Sequence, residues 1–253
     1  MTKQKGLGTM LITGGSRGIG AATARLAAKQ GYAVAINYHK NDQAAIALVA
    51  EIEKAGGCAA AFKADVGNES EVSALFKAID EQLGPLTALV NNAGILEAQA
   101  RVEEINFARL ERIFRTNVIS YFLCAKEAIK RMSTAKGGKG GVIVNVSSRA
   151  ACLGSANEYV DYAASKGAVD TFTIGLSREV ASEGIRVNAV RPGFIYTEMH
   201  ADGGEPGRVE RLAPSLPMQR GGQPEEVAEA ILWLFSDKSS YTTGSFIDVA
   251  GGR

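Results

Sequence analysis

Tyr162 and Lys166 lie four residues apart in the segment YVDYAASKGAVD, residues 159–170. On a helix this spacing puts the phenol and the ammonium on one face, about 6 Å apart along the axis. A free phenol has a pKa of about 10, and a neighbouring ammonium favours the phenolate and lowers that pKa. The pair could therefore exchange a proton with a substrate near neutral pH. The same spacing is common in surface pairs, and Tyr159, seven residues before Lys166, is a rival phenol that we interpret as a substrate-side or packing residue.

A glycine-rich segment, TGGSRGIG at residues 13–20, completes an apolar run and opens a segment of helical spacing. Glycine lets the backbone approach a pyrophosphate, and a helix N-terminus supplies free N–H groups and the positive end of a dipole. The spacing is GxxxGxG and not GxGxxG, and on its own such a turn could be only a tight corner between a strand and a helix. Its position after the first strand is the context that dinucleotide binding requires, so we predict a cofactor loop.

The second predicted strand ends in INYHKND, residues 36–42, where an acidic residue would accept hydrogen bonds from the ribose 2′-hydroxyl of NAD. The side chains present instead are Asn37, Tyr38 and His39. Because no carboxylate would repel a 2′-phosphate and the Arg17 guanidinium would bind it, we expect NADP(H) as the preferred cofactor, with NAD(H) as the alternative. The side chains of His39 and Lys40 could also be simply solvated. Arg17 alone would then select the 2′-phosphate.

Short apolar runs alternate with longer segments of helical spacing, such as 18–30, 69–83 and 224–236. Strands that are apolar on both faces and separated by helices indicate a parallel sheet covered on both sides. We therefore predict an α/β fold, a doubly wound parallel sheet in three α/β/α layers, in one domain over residues 1–253. The predicted strands are 9–13, 33–37, 58–62, 86–92, 142–147, 185–190 and 245–249.

Residues 198–224 interrupt this alternation with several glycines and prolines. A long segment without clear periodicity is either a mobile lid over a substrate or an irregular connection. The sequence leaves both interpretations open.

Charge and composition exclude several classes of function. Lysine and arginine number 28 against 27 acidic residues, a net charge of +1, so nothing draws the chain to nucleic acid or to a membrane. Cys58, Cys124 and Cys152 form no close pair, and His39 and His200 belong to no ligand cluster, so we expect neither a disulfide framework nor a metal site. The start MTKQKGLGTMLITGG lacks the apolar stretch of a signal peptide, and we expect a soluble, cytoplasmic protein with a small-molecule partner.

An ordered set of motifs spans nearly the whole chain. After TGGSRGIG come Asp65 and Val66, NNAG at residues 91–94, Asn117, Ser148, YAASK at residues 162–166 and RPGFIYT at residues 191–197. Each motif alone is common, but the ordered set resembles the short-chain dehydrogenase/reductase family, including its 3-oxoacyl carrier-protein reductases and glucose dehydrogenases. The resemblance implies a single-domain, Rossmann-like fold and a nicotinamide-dependent oxidoreductase acting on a carbonyl or secondary alcohol. It also implies a homotetramer with the long helices and the C-terminal region at the interfaces.

The resemblance assigns roles to individual residues as well. Tyr162 would exchange a proton with the substrate oxygen, Ser148 would hold that oxygen, and Asn117 would hold a water of the proton relay. Lys166 would bind the nicotinamide ribose and lower the pKa of Tyr162. The implied cofactor contacts are Gly14, Ser16, Arg17, Gly18, Ile19, Gly20, Asn37, Tyr38, His39, Asp65, Val66, Asn92, Ala93, Gly94, Tyr162, Lys166, Pro192, Gly193, Ile195 and Thr197.

Two local features of the predicted site are unusual. Ser148 lies fourteen residues before Tyr162, one more than in many family members, so the loop between them carries an extra residue; Ser147 would be farther away still. Glu158 in this loop could be a specificity group or only a solvated acid. Asn117 lies in a helical stretch where asparagine is a poor helix former, which indicates either a special role or a local kink.

The sequence leaves function open in two respects. The fold could belong to a nicotinamide-sensing or scaffolding protein without turnover, although the complete set of catalytic residue types argues against this. The substrate could be a 3-oxoacyl group on an acidic carrier protein, which basic residues would attract, or a sugar or polyol. The basic residues in question, which we interpret mostly as solvated helix faces with some pairing to Glu103, Glu104 and Glu111, are Arg101, Arg109, Arg112, Arg115, Lys126, Lys130 and Arg131.

Overall fold

Seven strands carry the predicted apolar runs in the computed structural model, which describes residues 6–253. Residues 1–5, part of the polar start of the chain, lie outside the described part. The strands are β1 (Thr9–Ile12), β2 (Ala33–Tyr38), β3 (Cys58–Lys63), β4 (Leu86–Asn91), β5 (Gly141–Val146), β6 (Ile185–Pro192) and β7 (Phe246–Val249). They pair in parallel in one sheet of order β3-β2-β1-β4-β5-β6-β7, which confirms the predicted doubly wound α/β fold.

Helices connect the strands and cover both faces of the sheet. They are α1 (Gly18–Gln30), α2 (Asp42–Lys54), α3 (Glu69–Leu83), α4 (Phe107–Phe114), α5 (Ser120–Met132), α6 (Ala150–Leu153), α7 (Val160–Val180), α8 (Met199–Asp202), α9 (Arg208–Leu212) and α10 (Pro224–Phe235). A π-helical turn, Arg115–Ile119, joins α4 to α5. Within residues 6–253, no helix has both the length and the apolar character that crossing a membrane would require.

Alternate residues of the strands fill two hydrophobic cores, one on each face of the sheet. In β1, Met10 and Ile12 pack into the core formed with α1, α2 and α10, whereas Leu11 packs into the core formed with α3, α5 and α7. Successive strand side chains point to opposite faces, so a sheet buried on both faces needs apolar residues at every position. This explains why the strands are continuous apolar runs in the sequence.

The position of the site follows from the strand order. The order reverses between β1 and β4, so the loops after these two strands diverge and leave a crevice at their carboxyl ends. The glycine-rich loop leads from β1 into α1 on one side of this crevice, and α7 packs beside β6 on the other.

Residues 198–224 have regular structure of their own. The segment contains α8, α9 and a 3-10 turn, Ala213–Ser215. It is tied to the end of β6 by two backbone hydrogen bonds, from the Tyr196 N–H to the Gly222 carbonyl oxygen and from the Gly222 N–H to the Phe194 carbonyl oxygen, both 2.9 Å. The two ends of the segment therefore lie side by side, just beyond the end of β6.

Candidate active site

A cavity of about 270 Å³ lies in the crevice at the carboxyl ends of β4, β5 and β6. Three of the four predicted catalytic residues, Ser148, Tyr162 and Lys166, form part of its wall. The predicted cofactor residues that also line it are Ile19, Asn92, Pro192, Gly193, Ile195 and Thr197. The fold thus gathers into one cavity residues that the sequence spreads over nearly 180 positions.

Lys166 is held in the wall of the cavity by hydrogen bonds. Its ammonium Nζ donates to the Val146 carbonyl oxygen at 2.8 Å and to the Tyr121 hydroxyl at 3.3 Å, and only 2% of the residue is exposed. Burial lowers the pKa of Lys166 to about 7, and the charge of Asp170 opposes that effect. Because an ammonium has three N–H groups, one is left for a ligand.

Tyr162 faces the same cavity, but its pKa moves in the direction opposite to the prediction. Burial raises the pKa of Tyr162, and a hydrogen bond with Ser148 opposes the rise. Lys166 Nζ lies 5.7 Å from the centre of the Tyr162 ring and donates to Val146 and Tyr121. The prediction that Lys166 lowers the pKa of Tyr162 is therefore wrong for this structure, and the phenol is protonated at neutral pH.

Ser148, and not Ser147, is the serine whose hydroxyl acts on Tyr162, where it lowers the pKa of the phenol. The Ser147 hydroxyl is buried and donates to the Asp170 carboxylate at 2.6 Å. The loop after Ser148 forms α6 and then turns through left-handed backbone at Asn157, with φ of 61°, a conformation that asparagine tolerates. Ser148 nevertheless lies in the cavity wall with Tyr162.

Asn117 lies in the π-helical turn between α4 and α5, which is the kink that its residue type indicated. Its carboxamide accepts a hydrogen bond from the Ile95 N–H at 2.8 Å and donates to the Ile95 carbonyl oxygen at 3.1 Å. It also donates to the Ser165 hydroxyl at 3.1 Å. Asn117 does not line the cavity; it fastens the segment after β4 to α7, the helix that carries Tyr162.

The glycine-rich loop has a backbone that its glycines require. Gly14 and Gly18 have φ of 59° and 50°, in the left-handed region that favours glycine. A Cβ atom at Gly20 would lie 2.6 Å from the Gly14 carbonyl oxygen. Arg17 at the start of α1 makes no capping hydrogen bond with its side chain, and the first turn has no acidic residue. The loop is therefore a cradle at an uncapped helix N-terminus, which suits an anion.

Asn37 and Asn92, predicted as cofactor contacts, brace this loop. Asn37 Oδ1 accepts a hydrogen bond from the Gly14 N–H at 3.2 Å. Asn92 Nδ2 donates to the carbonyl oxygens of Thr13 and Gly14 at 2.9 Å and 3.0 Å. Both asparagines thus fix the loop backbone through hydrogen bonds that the sequence does not reveal.

Other predicted cofactor residues lie outside the cavity, along the loops after β1 to β4. Arg17 forms an ion pair with Asp202 of α8, and Asp65 forms one with Arg115. The Asp65 carboxylate also accepts a hydrogen bond from the Gly67 N–H at 2.9 Å. The remaining residues of this group are Ser16, Tyr38, an exposed His39, Val66, Ala93 and Gly94.

Comparison with known proteins identifies the family. The family model described as enoyl-(acyl carrier protein) reductase matches residues 14–253. An uncharacterized oxidoreductase of Escherichia coli K12, YgfF, is 63% identical over 243 residues, which are 96% of this chain and 98% of that protein. The chain belongs to the short-chain dehydrogenase/reductase family.

Further members of the short-chain dehydrogenase/reductase family support this assignment. The 3-oxoacyl-[acyl-carrier-protein] reductase of Synechocystis sp. is 39% identical over 243 residues, 96% of this chain and 95% of that reductase. The crystal structure of a short-chain dehydrogenase from Burkholderia cenocepacia J2315 in complex with NADP matches with a TM-score of 0.89 at 31% identity, covering 97% of both chains. The resemblance inferred from the ordered motifs is confirmed.

The seven basic residues considered for an acidic carrier are all paired with carboxylates. Of the predicted partners, only Glu103 forms an ion pair within residues 6–253, and its partner is Arg101. The other pairs, mostly between residues distant in the sequence, are Arg109 with Asp161, Arg112 with Glu97, Arg115 with Asp65, Lys126 with Glu69, Lys130 with Glu127, and Arg131 with Asp80 and Glu127. Their positive charge is therefore largely neutralised within the chain.

Arg109 differs from the others because it is buried, so the interpretation as a solvated residue is wrong for it. Its guanidinium donates to both Asp161 oxygens, at 2.7 Å from Nε and 3.3 Å from Nη2, and to the Ala98 carbonyl oxygen at 2.6 Å. The Asp161 carboxylate in turn accepts a hydrogen bond from the Tyr162 N–H at 2.9 Å. The one feature of the sequence that could have indicated this buried pair is Asp161, which directly precedes Tyr162.

Tyr121 is a second residue that the sequence analysis missed. It is fully buried, and its hydroxyl donates to the Val146 carbonyl oxygen at 2.9 Å while it accepts from Lys166. It lies one helical turn after Asn117, and this spacing could have placed it near the site. Tyr121 holds the ammonium of Lys166 in a fixed position.

Proposed function

We propose that this protein transfers a hydride between NADP(H) and a carbonyl compound or secondary alcohol, with Tyr162 as general acid and base. The observation that carries the proposal is the convergence of Ser148, Tyr162 and Lys166 on one cavity, whose wall also contains Ile195 and Thr197. The test is oxidation of NADPH and of NADH by the purified protein with ketones, diketones, aldoses and 3-oxoacyl thioesters. Turnover with a member of this panel supports the proposal, and cofactor binding without turnover on any of them contradicts it.

The residues of the loop fit a nicotinamide dinucleotide. The glycine cradle leaves room for a pyrophosphate beside the uncapped N-terminus of α1. Ile195 and Thr197 would flank the nicotinamide carboxamide, and the NADP complex of the Burkholderia cenocepacia relative supports the choice of cofactor. When bound, the cofactor supplies the hydride.

The chain's own residues bind the substrate oxygen and move a proton to it. Ser148 would hold the carbonyl oxygen while Tyr162 donates its phenolic proton, and a phenol kept protonated by burial suits this direction. Lys166 would hold the cofactor ribose with the N–H that Val146 and Tyr121 leave free. Asn117 would keep α7, and with it Tyr162, in position through its hydrogen bonds to Ile95 and Ser165. A sensor or scaffold has no need of a hydroxyl at Ser148 beside Tyr162, which favours the enzyme.

Replacing Arg17 with alanine should weaken NADPH binding roughly tenfold or more and leave NADH binding nearly unchanged, because a hydrogen bond to a charged group contributes ~1.5–3 kcal/mol. The dissociation constants come from fluorescence titration of each cofactor. Arg25→Ala is the matched control, since Arg25 is an equally exposed arginine of α1 that is ion-paired with Glu51. Equal losses for the two cofactors would mean that Arg17 does not recognise the 2′-phosphate.

Carbonyl reduction should slow as the pH rises through about 7, because Lys166 loses there the charge with which it would hold the nicotinamide ribose in place beside the substrate. The charged and titratable groups around its ammonium are Tyr121, Tyr162 and Asp170. Tyr121→Phe removes a hydrogen-bond acceptor of the ammonium, lowers the pKa of Lys166 and moves the fall in kcat to lower pH. The dependence of kcat on pH is measured at saturating NADPH. Tyr32→Phe is the control, because Tyr32 does not line the cavity. Superimposable profiles for Tyr121→Phe and wild type would rule out this role.

The assembly that we propose is a homotetramer. Large apolar side chains are exposed on α4, α5 and α7 and on the π-helical turn: Phe107, Leu110, Ile119, Phe122 and Ile174. Phe122 of α5 packs on Phe172 of α7, with 4.1 Å between ring centroids, so the two helices present one apolar surface. Further copies of the chain would cover it, as the family resemblance implies. Sedimentation as a monomer would contradict this assembly; the cytoplasmic location stays a prediction.

A further inference from the structure

Arg208 of α9 forms part of the cavity wall, although α9 belongs to the segment 198–224. Only 4% of this arginine is exposed. Its guanidinium lies over the rings of Tyr159, at 4.9 Å from the centroid, and of Phe194, at 5.4 Å. A buried cation is retained at such a site only when it is paired and hydrogen-bonded.

Two carboxylates pair with Arg208. Glu158 accepts from both terminal nitrogens, at 3.1 Å from Nη1 and 2.5 Å from Nη2. Glu205 accepts from Nη1 at 2.8 Å. Glu158 precedes Tyr159 in the loop that leads from Ser148 to Tyr162, so the ion pair joins that loop to the segment 198–224. Glu158 is therefore neither free nor simply solvated.

Further contacts fasten the same segment on other sides. The Tyr159 hydroxyl donates to the Gly203 carbonyl oxygen at 3.3 Å, and Gln99 Nε2 donates to Glu205 at 2.7 Å. The Ala100 N–H donates to the Glu158 carbonyl oxygen at 3.0 Å. The segment after β4, the loop before α7 and the segment 198–224 thus form one connected wall, with the ion pair of Arg208 at their junction.

The cavity behind this wall is small, and its lining is mixed, with Arg149, His200 and Arg253 beside the apolar side chains. Its volume of about 270 Å³ is below the ~300–1,000 Å³ of typical ligand pockets, and part of it adjoins the predicted nicotinamide residues. Leu96, Leu153 and Met199 line the substrate side. A short carbonyl compound fits such a space, whereas a long acyl chain leading out to a carrier protein would have to cross the connected wall.

We propose that the substrate is a small carbonyl compound held in this cavity, and that the Glu158–Arg208 pair is the specificity-determining group that excludes longer and carrier-bound acyl chains, an inference that rests on the function proposed above. The neutralised basic residues agree with it, since the seven candidates for attracting an acidic carrier are already paired. Recognition then depends mainly on the size of the substrate, with Ser148 and Tyr162 fixing the carbonyl oxygen.

The test is a homologous series with one reacting group: the methyl esters of 3-oxobutanoate, 3-oxohexanoate, 3-oxooctanoate and 3-oxodecanoate, with acetoacetyl carrier protein as the last member. We expect kcat/KM of the wild type to fall from the shortest to the longest ester by roughly tenfold or more, since a single methylene in a hydrophobic pocket can change kcat/KM by about 10–200-fold and the longest ester carries six more methylenes than the shortest. Glu158→Gln keeps the size of the side chain but weakens the ion pair with Arg208. The ratio of kcat/KM for the shortest ester to kcat/KM for the longest ester should therefore become smaller.

Glu210→Gln is the matched control, because Glu210 is an exposed glutamate of α9 that forms no ion pair within residues 6–253. Glu210→Gln should leave the ratio of kcat/KM between the shortest and the longest ester at the wild-type value. Equal kcat/KM for the shortest ester and the carrier-bound substrate in the wild type would overturn the inference while leaving the carbonyl reductase intact. An unchanged ratio in folded Glu158→Gln would overturn the role of the ion pair. Absence of turnover with every carbonyl compound would overturn the proposed function, and the inference with it.

Discussion

Tyr162→Phe lowers kcat for carbonyl reduction by roughly 10²–10⁴-fold and leaves NADPH affinity nearly unchanged, if Tyr162 is the proton donor. The substitution removes only a hydroxyl. Tyr162 lies with Ser148 in the cavity wall, and the loop that would hold the pyrophosphate is elsewhere. Steady-state kinetics give kcat, and fluorescence titration gives the dissociation constant of NADPH.

Tyr159→Phe is the control for this substitution. Tyr159 also lines the cavity and lies on the same stretch of chain, but its hydroxyl donates to the Gly203 carbonyl oxygen. This variant should keep most of the wild-type kcat. If Tyr162→Phe retained activity close to wild type, or if Tyr159→Phe lost as much, Tyr162 would not be the proton donor.

Arg109→Met should reduce the free energy of unfolding by about 3–5 kcal/mol, because it leaves the Asp161 carboxylate buried without its partner. The side chains of Arg109 and Asp161 are only 10% and 1% exposed. Because Asp161 accepts the Tyr162 N–H, kcat should fall as well, through displacement of the first turn of α7. Denaturant unfolding followed by circular dichroism measures the stability change.

Two further variants show whether the loss of stability in Arg109→Met comes from the buried, unpaired carboxylate or from the loss of an arginine charge alone. Arg112→Met removes an arginine of the same helix whose ion pair with Glu97 is exposed, and it should cost less than about 1 kcal/mol. The double variant Arg109→Met/Asp161→Asn removes both charges and should regain much of the lost stability. A loss for Arg109→Met no greater than that for Arg112→Met would contradict the structural role of the buried pair.

The sheet was predictable because its strands are buried on both faces and its connections are helical. Helices 18–30 and 69–83 have the predicted bounds, since glycine or asparagine marks their starts and apolar spacing fills their lengths. The motifs around Tyr162 and Gly14 were also readable, because each needs particular residue types at short spacing. In both cases the determining interactions are local in sequence.

Residues of the site that act over long sequence separations were not predictable in this way. Arg109 and Asp161 are 52 positions apart, and nothing local distinguishes a buried arginine of α4 from its solvated neighbours. Tyr121 meets Lys166 only because α5 packs near α7. The direction of the Tyr162 pKa shift was wrong for the same reason: helical spacing places Lys166 nearby, but burial and the acceptors of the ammonium depend on the tertiary structure.

Hydride transfer from NADPH to a carbonyl carbon, with Tyr162 as the proton donor, can be followed with a deuterium label. NADPH carrying deuterium at C4 of the nicotinamide, on either face in separate experiments, is incubated with the protein and the methyl ester of 3-oxobutanoate. The product is then analysed by mass spectrometry and NMR. We expect one of the two labelled cofactors to place deuterium on the carbinol carbon, and this product to be lost with Tyr162→Phe. Product alcohol free of deuterium with both cofactors, or no alcohol from this or any other small carbonyl compound, would contradict it.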